Sequence, residues 1–387
     1  MKTHRRSSIR SQRLKQKTPT RSPLAAIPVS RRQLLMAAGA AAAVSSLPLA
    51  RAAVPRRGIP LGFDNFAVRA CGWNARQLVD HAEDLRCDSL FITDFGPLEG
   101  RFDDASLADL RRYAADRGVA LELGSWSICP TAKRFKDDWG TAEEHLALGI
   151  RMAKALGGRA FRVILGSRED RSSEGGIAAR IDDTVAVLKK LRSQAIDSGI
   201  TIAVENHAGD MRSEELAGLV EAAGTDFVGV NFDSGNACWA LEDPLAALER
   251  LAPFIVTTSL RDSMVWESAN GVTVQWTAMG EGCVDLPAFF NLFAEKCPGV
   301  TVNIETISGF AREFPLFDQA FWREYPDVHA RELARFWALA RRGRPLEGFS
   351  VPPGSDRQAA EREYQLAELD RSIRFCRDEL GLGIKPN

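Results

Sequence analysis

From Leu61 to Glu305 the chain alternates short β-branched or apolar runs with longer amphipathic stretches, and this alternation constrains the fold more than any other feature. Period-2 and apolar runs predict strands over Leu61–Phe66, Ser89–Asp94, Ala120–Ser125, Ala160–Leu165, Thr201–Glu205, Val228–Asp233, Phe254–Leu260 and Val300–Glu305. Helical spacing fills the gaps over Ala75–Leu85, Ser106–Arg117, Thr141–Leu156, Ile177–Ser198, Ser213–Ala223, Pro244–Leu251 and Leu286–Cys297. Gly157, Gly199 and Gly224 stand where those helices should end, as left-handed C-caps require. Eight βα units in about 250 residues predict an α/β fold, a closed (β/α)8 TIM barrel. The rival, an open doubly wound sheet, calls for a Gly-rich phosphate turn after the first strand, and none is present.

Two insertions interrupt the spacing. Met264–Trp266 and Val272–Trp276 flank Asn270-Gly271, which predicts a hairpin rising from the C-terminal face of the barrel as a lid. A second insertion, Gly309 to Asp327, is rich in Phe, Trp and Tyr and is expected mainly to pack against extra C-terminal helices. One of these helices is expected over Asp356–Leu380. The domain division is therefore a leader over 1–52, a barrel over 58–345 and a helical extension over 346–387, the last a candidate homo-oligomer contact.

Charge separates the leader from the rest. The first 52 residues hold eleven Lys or Arg and no acid, whereas the remainder holds 39 basic and 51 acidic residues, 39 − 51 = −12. An acidic body repels phosphate backbones, so nucleic acid is not the expected partner; a small-molecule carbohydrate is. Within the leader, Ser30-Arg31-Arg32-Gln33-Leu34-Leu35-Met36 resembles a twin-arginine export signal. An Ala-rich apolar run to Leu49 and small residues at Ala50 and Ala52 follow, so cleavage before Ala53 and a periplasmic or secreted destination are expected. The apolar run is shorter than the roughly 18 residues of a membrane span, so no stable span should remain after cleavage. Seven scattered cysteines form no C-x-x-C pair, which argues against a zinc knuckle or a disulfide framework.

Barrel active sites lie at the C-terminal ends of the strands. Glu205, Asp233 and Glu305 occupy that end of three strands, and convergent carboxylates repel one another unless a cation or a shared proton relieves them. His207, two residues after Glu205, falls on the same face of extended backbone and faces the same mouth, either as a ligand or as a hydrogen-bonded support. His81, His145 and His329 fall in or beside helical stretches and are assigned surface or packing roles. Arg162 and Arg261 could bind substrate oxygens or neutralise the acids internally.

Val204-Glu205-Asn206-His207, Asn231-Phe232-Asp233-Ser234-Gly235-Asn236, Leu260-Arg261-Asp262, Gly280–Asp285 and Ile304-Glu305 together resemble the xylose isomerase-like sugar isomerase/epimerase superfamily. That resemblance implies a divalent cation (Mn, Mg or Co) held by Glu205, Asp233, a seventh-strand histidine and Glu305. It also implies that Glu205 and Glu305 move a proton beside a sugar carbonyl. The histidine slot is occupied by Ser259, in Ser259-Leu260-Arg261-Asp262 where the family commonly has His-x-Lys-Asp, so either water or His207 completes the shell, or affinity is reduced, or the metal has been lost. Asn236 stands where some ketose epimerases carry a substrate-contacting histidine, and with His207, Arg162 and Arg261 it completes the expected substrate-binding set. The expected function is a metal-dependent sugar isomerase or epimerase. A lyase or dehydratase on keto-sugars or keto-glycosides, or a non-catalytic carbohydrate-binding barrel, are the alternatives.

Overall fold

The computed structural model describes residues 54–309 and 311–386. The expected export signal and its cleavage site lie outside these residues. Eight parallel strands form one sheet in the order β10-β1-β2-β3-β4-β5-β6-β7: β1 Leu61–Asp64, β2 Ser89–Ile92, β3 Ala120–Ser127, β4 Ala160–Ile164, β5 Thr201–Glu205, β6 Val228–Asp233, β7 Ile255–Ser259 and β10 Val302–Ile304. A parallel bridge from Leu260 to Ile304 closes the ring, with Leu260 N–H donating to Asn303 O at 2.7 Å and Glu305 N–H donating to Leu260 O at 2.9 Å. The fold is a (β/α)8 TIM barrel.

Helices start and stop where local chemistry satisfies their end groups. The helix Ala142–Leu156 opens on a capping box in which Thr141 Oγ1 accepts from Glu144 N while Glu144 accepts from Thr141 N, and it ends on Gly157 at φ 81°. The stretch expected as one helix over Ile177–Ser198 is two, Gly176–Lys190 and Arg192–Ser198. Leu191, at φ −99° and ψ 5°, breaks the helical path between them.

The two insertions meet in one small sheet. β8 (Asp262–Ser268) and β9 (Gly271–Thr277) form the expected hairpin, and β11 (Ala311–Phe314), from the second insertion, pairs antiparallel with β9 to make a three-stranded sheet. The aromatic residues of the second insertion, among them Phe314, Phe321 and Tyr325, share one buried cluster with Val265, Val274 and Trp276 of the hairpin. The cluster also takes in Phe336, Leu339 and Ala340 of the helix Ala330–Ala340, so this insertion packs against an extra C-terminal helix as expected and against the hairpin as well.

The C-terminal helix Arg357–Asp378 lies against the first strand–helix connection and the end of the barrel, where Gln365 Oε1 accepts from Ala70 N at 2.8 Å and Ser372 Oγ accepts from Met279 N at 3.1 Å. Among the described residues, no helix is long and apolar enough to cross a membrane.

Candidate functional site

Glu205 ends β5, Asp233 ends β6, and Glu305 directly follows β10, so parallel pairing alone delivers three carboxyls to the same end of the barrel. The loops at that end are tied together before any ligand arrives. Asn206 Nδ2 donates to Asp233 O at 2.8 Å while its Oδ1 accepts from Asp233 N at 2.9 Å. Asp233 Oδ1 then caps the short helix Ser234–Trp239 by accepting from Asn236 N at 2.8 Å. The result is a cavity of about 210 Å³ walled by Phe66, Trp126, Trp239 and Trp276, with Arg162, Glu205, His207, Asn236, Arg261 and Glu305 as its polar lining. Small enclosed sites of mixed aromatic and polar lining are typical of small-molecule binding.

Each acid has a cationic partner. Arg162 Nε donates to Glu205 Oε2 at 2.5 Å, and Arg162 Nη1 donates to Ser125 O at 2.8 Å. Arg261 Nη2 donates to both Asp233 Oδ2 and Glu305 Oε2. Asn231 and Asn236 add hydrogen bonds to Glu205 at 2.9 and 3.2 Å. Glu305 commits only Oε2, and among the described residues its Oε1 has no hydrogen-bond partner. Burial raises the Glu205 carboxyl, but Arg162 and His207 outweigh it and hold Glu205 below the usual carboxylate range. Burial wins at Glu305 and more strongly at Asp233, pushing both up despite Arg261.

His207 Nδ1 lies 2.6 Å from Gly166 O, a group that can only accept, so the neutral ring carries its proton there and leaves Nε2 as an acceptor. Burial keeps this imidazole below its ordinary pKa, against the pull of Glu205.

The cation implied by the family resemblance does not fit this donor set. Arg261 engages two of the three expected ligands, Arg162 engages the third, and Ser259 Oγ is drawn into bonds with Asn231 Nδ2 at 3.2 Å and Asp64 Oδ2 at 3.4 Å. Among the described residues no cluster of three His, Cys, Asp or Glu side chains could hold a metal ion. Both arginines pair with the acids.

A family model described as a xylose isomerase-like TIM barrel matches residues 67–313. The chain belongs to this family. A 3-oxo-isoapionate decarboxylase of Pectobacterium atrosepticum is 26% identical over 199 residues, 51% of this chain and 64% of that protein. The uncharacterized protein YihM of Escherichia coli is 30% identical over 131 residues, 34% of this chain and 39% of its own length. The chain thus spans less than two thirds of either curated relative. D-psicose 3-epimerase, solved in the presence of D-fructose, superposes with a TM-score of 0.54 at 14% identity, covering 84% of this chain and 100% of that one. IolI protein with a bound zinc atom gives 0.50 at 16% identity, covering 73% and 96%. At such identities the likeness is one of fold.

The same signal that picked out Glu205, Asp233 and Glu305 also marks Asp64, the last residue of β1, completely buried and bonded to Thr93 Oγ1 at 3.0 Å. It escaped notice because the first strand was expected to run on to Phe66. Trp126, Trp239 and Trp276 reach the cavity from β3, from the helix after β6 and from the hairpin, and no local pattern announces that convergence.

Proposed function

We propose that this barrel is a carbohydrate-processing enzyme that moves a proton next to a sugar carbonyl, as an isomerase or epimerase, with Glu305 as the proton-transfer residue. The observation that carries this reading is the uncommitted Oε1 of Glu305, on a residue lining a tryptophan-walled cavity that also holds Glu205, whose oxygens accept from Arg162, Asn231 and Asn236. A base must reach a C–H bond with a free lone pair, and Glu305 Oε1 has one. Glu205, fixed by Arg162, Asn231 and Asn236, serves as acceptor for a substrate hydroxyl or as the second proton carrier. The tryptophan faces suit the C–H surfaces of a sugar, and His207 Nε2 and Asn236 supply polar contacts to its hydroxyls. Relatives named for epimerase activity support the same reading.

Deuterium wash-in from solvent across a panel of keto-sugars tests the proposal. Incorporation at the carbon beside the carbonyl, lost in Glu305→Gln, is the expected result; no exchange with any keto-sugar that binds would sink it.

A second reading is favoured by the relative named as a 3-oxo acid decarboxylase. Loss of carbon dioxide from a 3-oxo acid leaves the same enolate that proton removal produces, and the same cavity would then protonate it. Product analysis with 3-oxo sugar acids separates the two readings, since only decarboxylation releases carbon dioxide.

A further inference from the structure

Arg261 is buried to within 2% of full enclosure, yet among the described residues only Nη2 of its guanidinium is spoken for, and Nε and Nη1 have no hydrogen-bond partner. Its position is set from several elements at once. The guanidinium carbon lies 4.4 Å from the ring centroid of Trp276, Trp276 stacks on Trp239 at 3.8 Å, and Arg312 of β11 caps the pile 4.6 Å from Trp239. Trp276 is itself held by its indole N–H, which donates to Gly235 O at 2.9 Å. A Cβ at position 235 would fall 2.5 Å from Arg261 Cγ and Cδ, so glycine there leaves the channel through which the side chain passes. Nothing in this arrangement is a loose surface arginine that happens to swing inward.

A guanidinium stays charged throughout the pH range in which proteins fold, and it pairs with carboxylates directionally. By bridging Asp233 and Glu305 it relieves the repulsion that otherwise calls for a cation. Two buried donors without acceptors are a cost of holding the guanidinium there.

We infer that Arg261 has taken over the role of the family's divalent cation, making the site metal-independent, and that its fixed charge in the cavity wall stabilises the enolate formed from the substrate carbonyl. The second half rests on the proton-transfer reading above. In that step a carboxylate oxygen takes the proton from the carbon beside the carbonyl. The C–H electron pair becomes the new C=C bond, and the carbonyl π pair moves onto oxygen as an enolate. Return of the proton to the other face, or to the neighbouring carbon, restores the carbonyl and completes epimerisation or isomerisation with no external reagent. A charge already held in place stabilises the developing oxyanion without reorganisation.

The test uses metal alone. Chelator-treated full-length protein is titrated with Mn²⁺, Co²⁺ and Zn²⁺ by calorimetry and by thermal shift, beside Arg261→Ala and the double variant Ser259→His/Arg261→Ala. The wild type is expected to take up no stoichiometric cation and to show no cation-dependent rise in melting temperature. Both variants are expected to gain binding, the double variant the more tightly because it restores the histidine. Stoichiometric uptake by the wild type overturns the inference, and so do folded variants that stay cation-free. Should the double variant fail to fold, Arg261→Ala and the wild type still decide. None of these readouts needs turnover, so absent deuterium exchange would remove the proton-transfer reading and leave the cation question answered.

Discussion

Arg162 and Glu205 form a buried ion pair across adjacent strands, Nε to Oε2 at 2.5 Å, with the two side chains 6% and 1% exposed. Strand register creates it: Arg162 pairs with Ala203 and Ile164 with Glu205, so the arginine, one step below, reaches up the barrel to the acid. Gly124 makes the reach possible, since a Cβ there would press to 3.0 Å against Arg162 Cβ and Cδ. A pair this enclosed is costly to break, because the surviving charge stays buried.

Arg162→Met should therefore destabilise the fold by about 3–5 kcal/mol, the range for stranding one member of a buried pair. Urea unfolding measures the loss, and Arg162→Met/Glu205→Gln should recover much of it. Equal destabilisation in the single and double variants would show that Arg162 acts through packing rather than charge.

Glu305→Gln should abolish turnover and leave the melting temperature within a few degrees of wild type, since a glutamine oxygen can still accept from Arg261 Nη2. Circular dichroism melting beside the deuterium wash-in assay checks both halves. Wild-type exchange in this variant would move the proton-transfer role away from Glu305.

Gly235→Ala should displace Arg261, because the added methyl would meet its Cγ and Cδ at 2.5 Å and Trp276 Nε1 at 2.9 Å. Substrate turnover is expected to drop at least tenfold, with a stability cost of about 1–3 kcal/mol from overpacking. A crystal structure of the variant showing Arg261 in place would contradict the explanation offered for this glycine.

His145 should give the fold an acid-sensitive limb. Its Nε2 lies 2.6 Å from Ser125 Oγ, its ring sits edge-on to Phe95, and burial lowers its pKa to about 4 despite weak support from a Ser127 backbone bond and Asp138. A group depressed in the folded state contributes stability that is complete above its unfolded pKa near 6.5 and is lost as pH falls towards about 4. The shift corresponds to about 3 kcal/mol over that window. Denaturant unfolding at pH 7.5 and 4.5 should show a larger loss for wild type than for His145→Gln; parallel losses would remove His145 from the account.

The strand ends were legible because β-branched runs of fixed length end where their polar residues begin, and β5 and β6 carry the very limits expected, Thr201–Glu205 and Val228–Asp233. The short helix Ser234–Trp239 was not, since its six residues are too few for a 3.6-residue period to register and its start depends on Asp233 turning back to cap it. The second insertion packs against one of the extra C-terminal helices, as its aromatic composition suggests, but composition records burial and does not name every partner. Only β11 pairing with β9 adds the hairpin. The buried His145, assigned from sequence to surface or packing, is a packing residue, and only its neighbours reveal that it must stay neutral.

By itself the sequence determined the barrel and the placing of Glu205, Asp233 and Glu305 at one end of it, because parallel strands of matched length bring their C-terminal residues together whatever else the chain does. It also showed Ser259 where a histidine ligand is expected. What fills the space between the acids was decided by tertiary structure alone. Arg261 could have pointed to solvent, to a substrate or to the carboxylates, and nothing local distinguishes these. Trp276, the helix that carries Gly235 and Trp239, and Arg312 come from three separate segments, and their stacking energy and shape fix the guanidinium between Asp233 and Glu305.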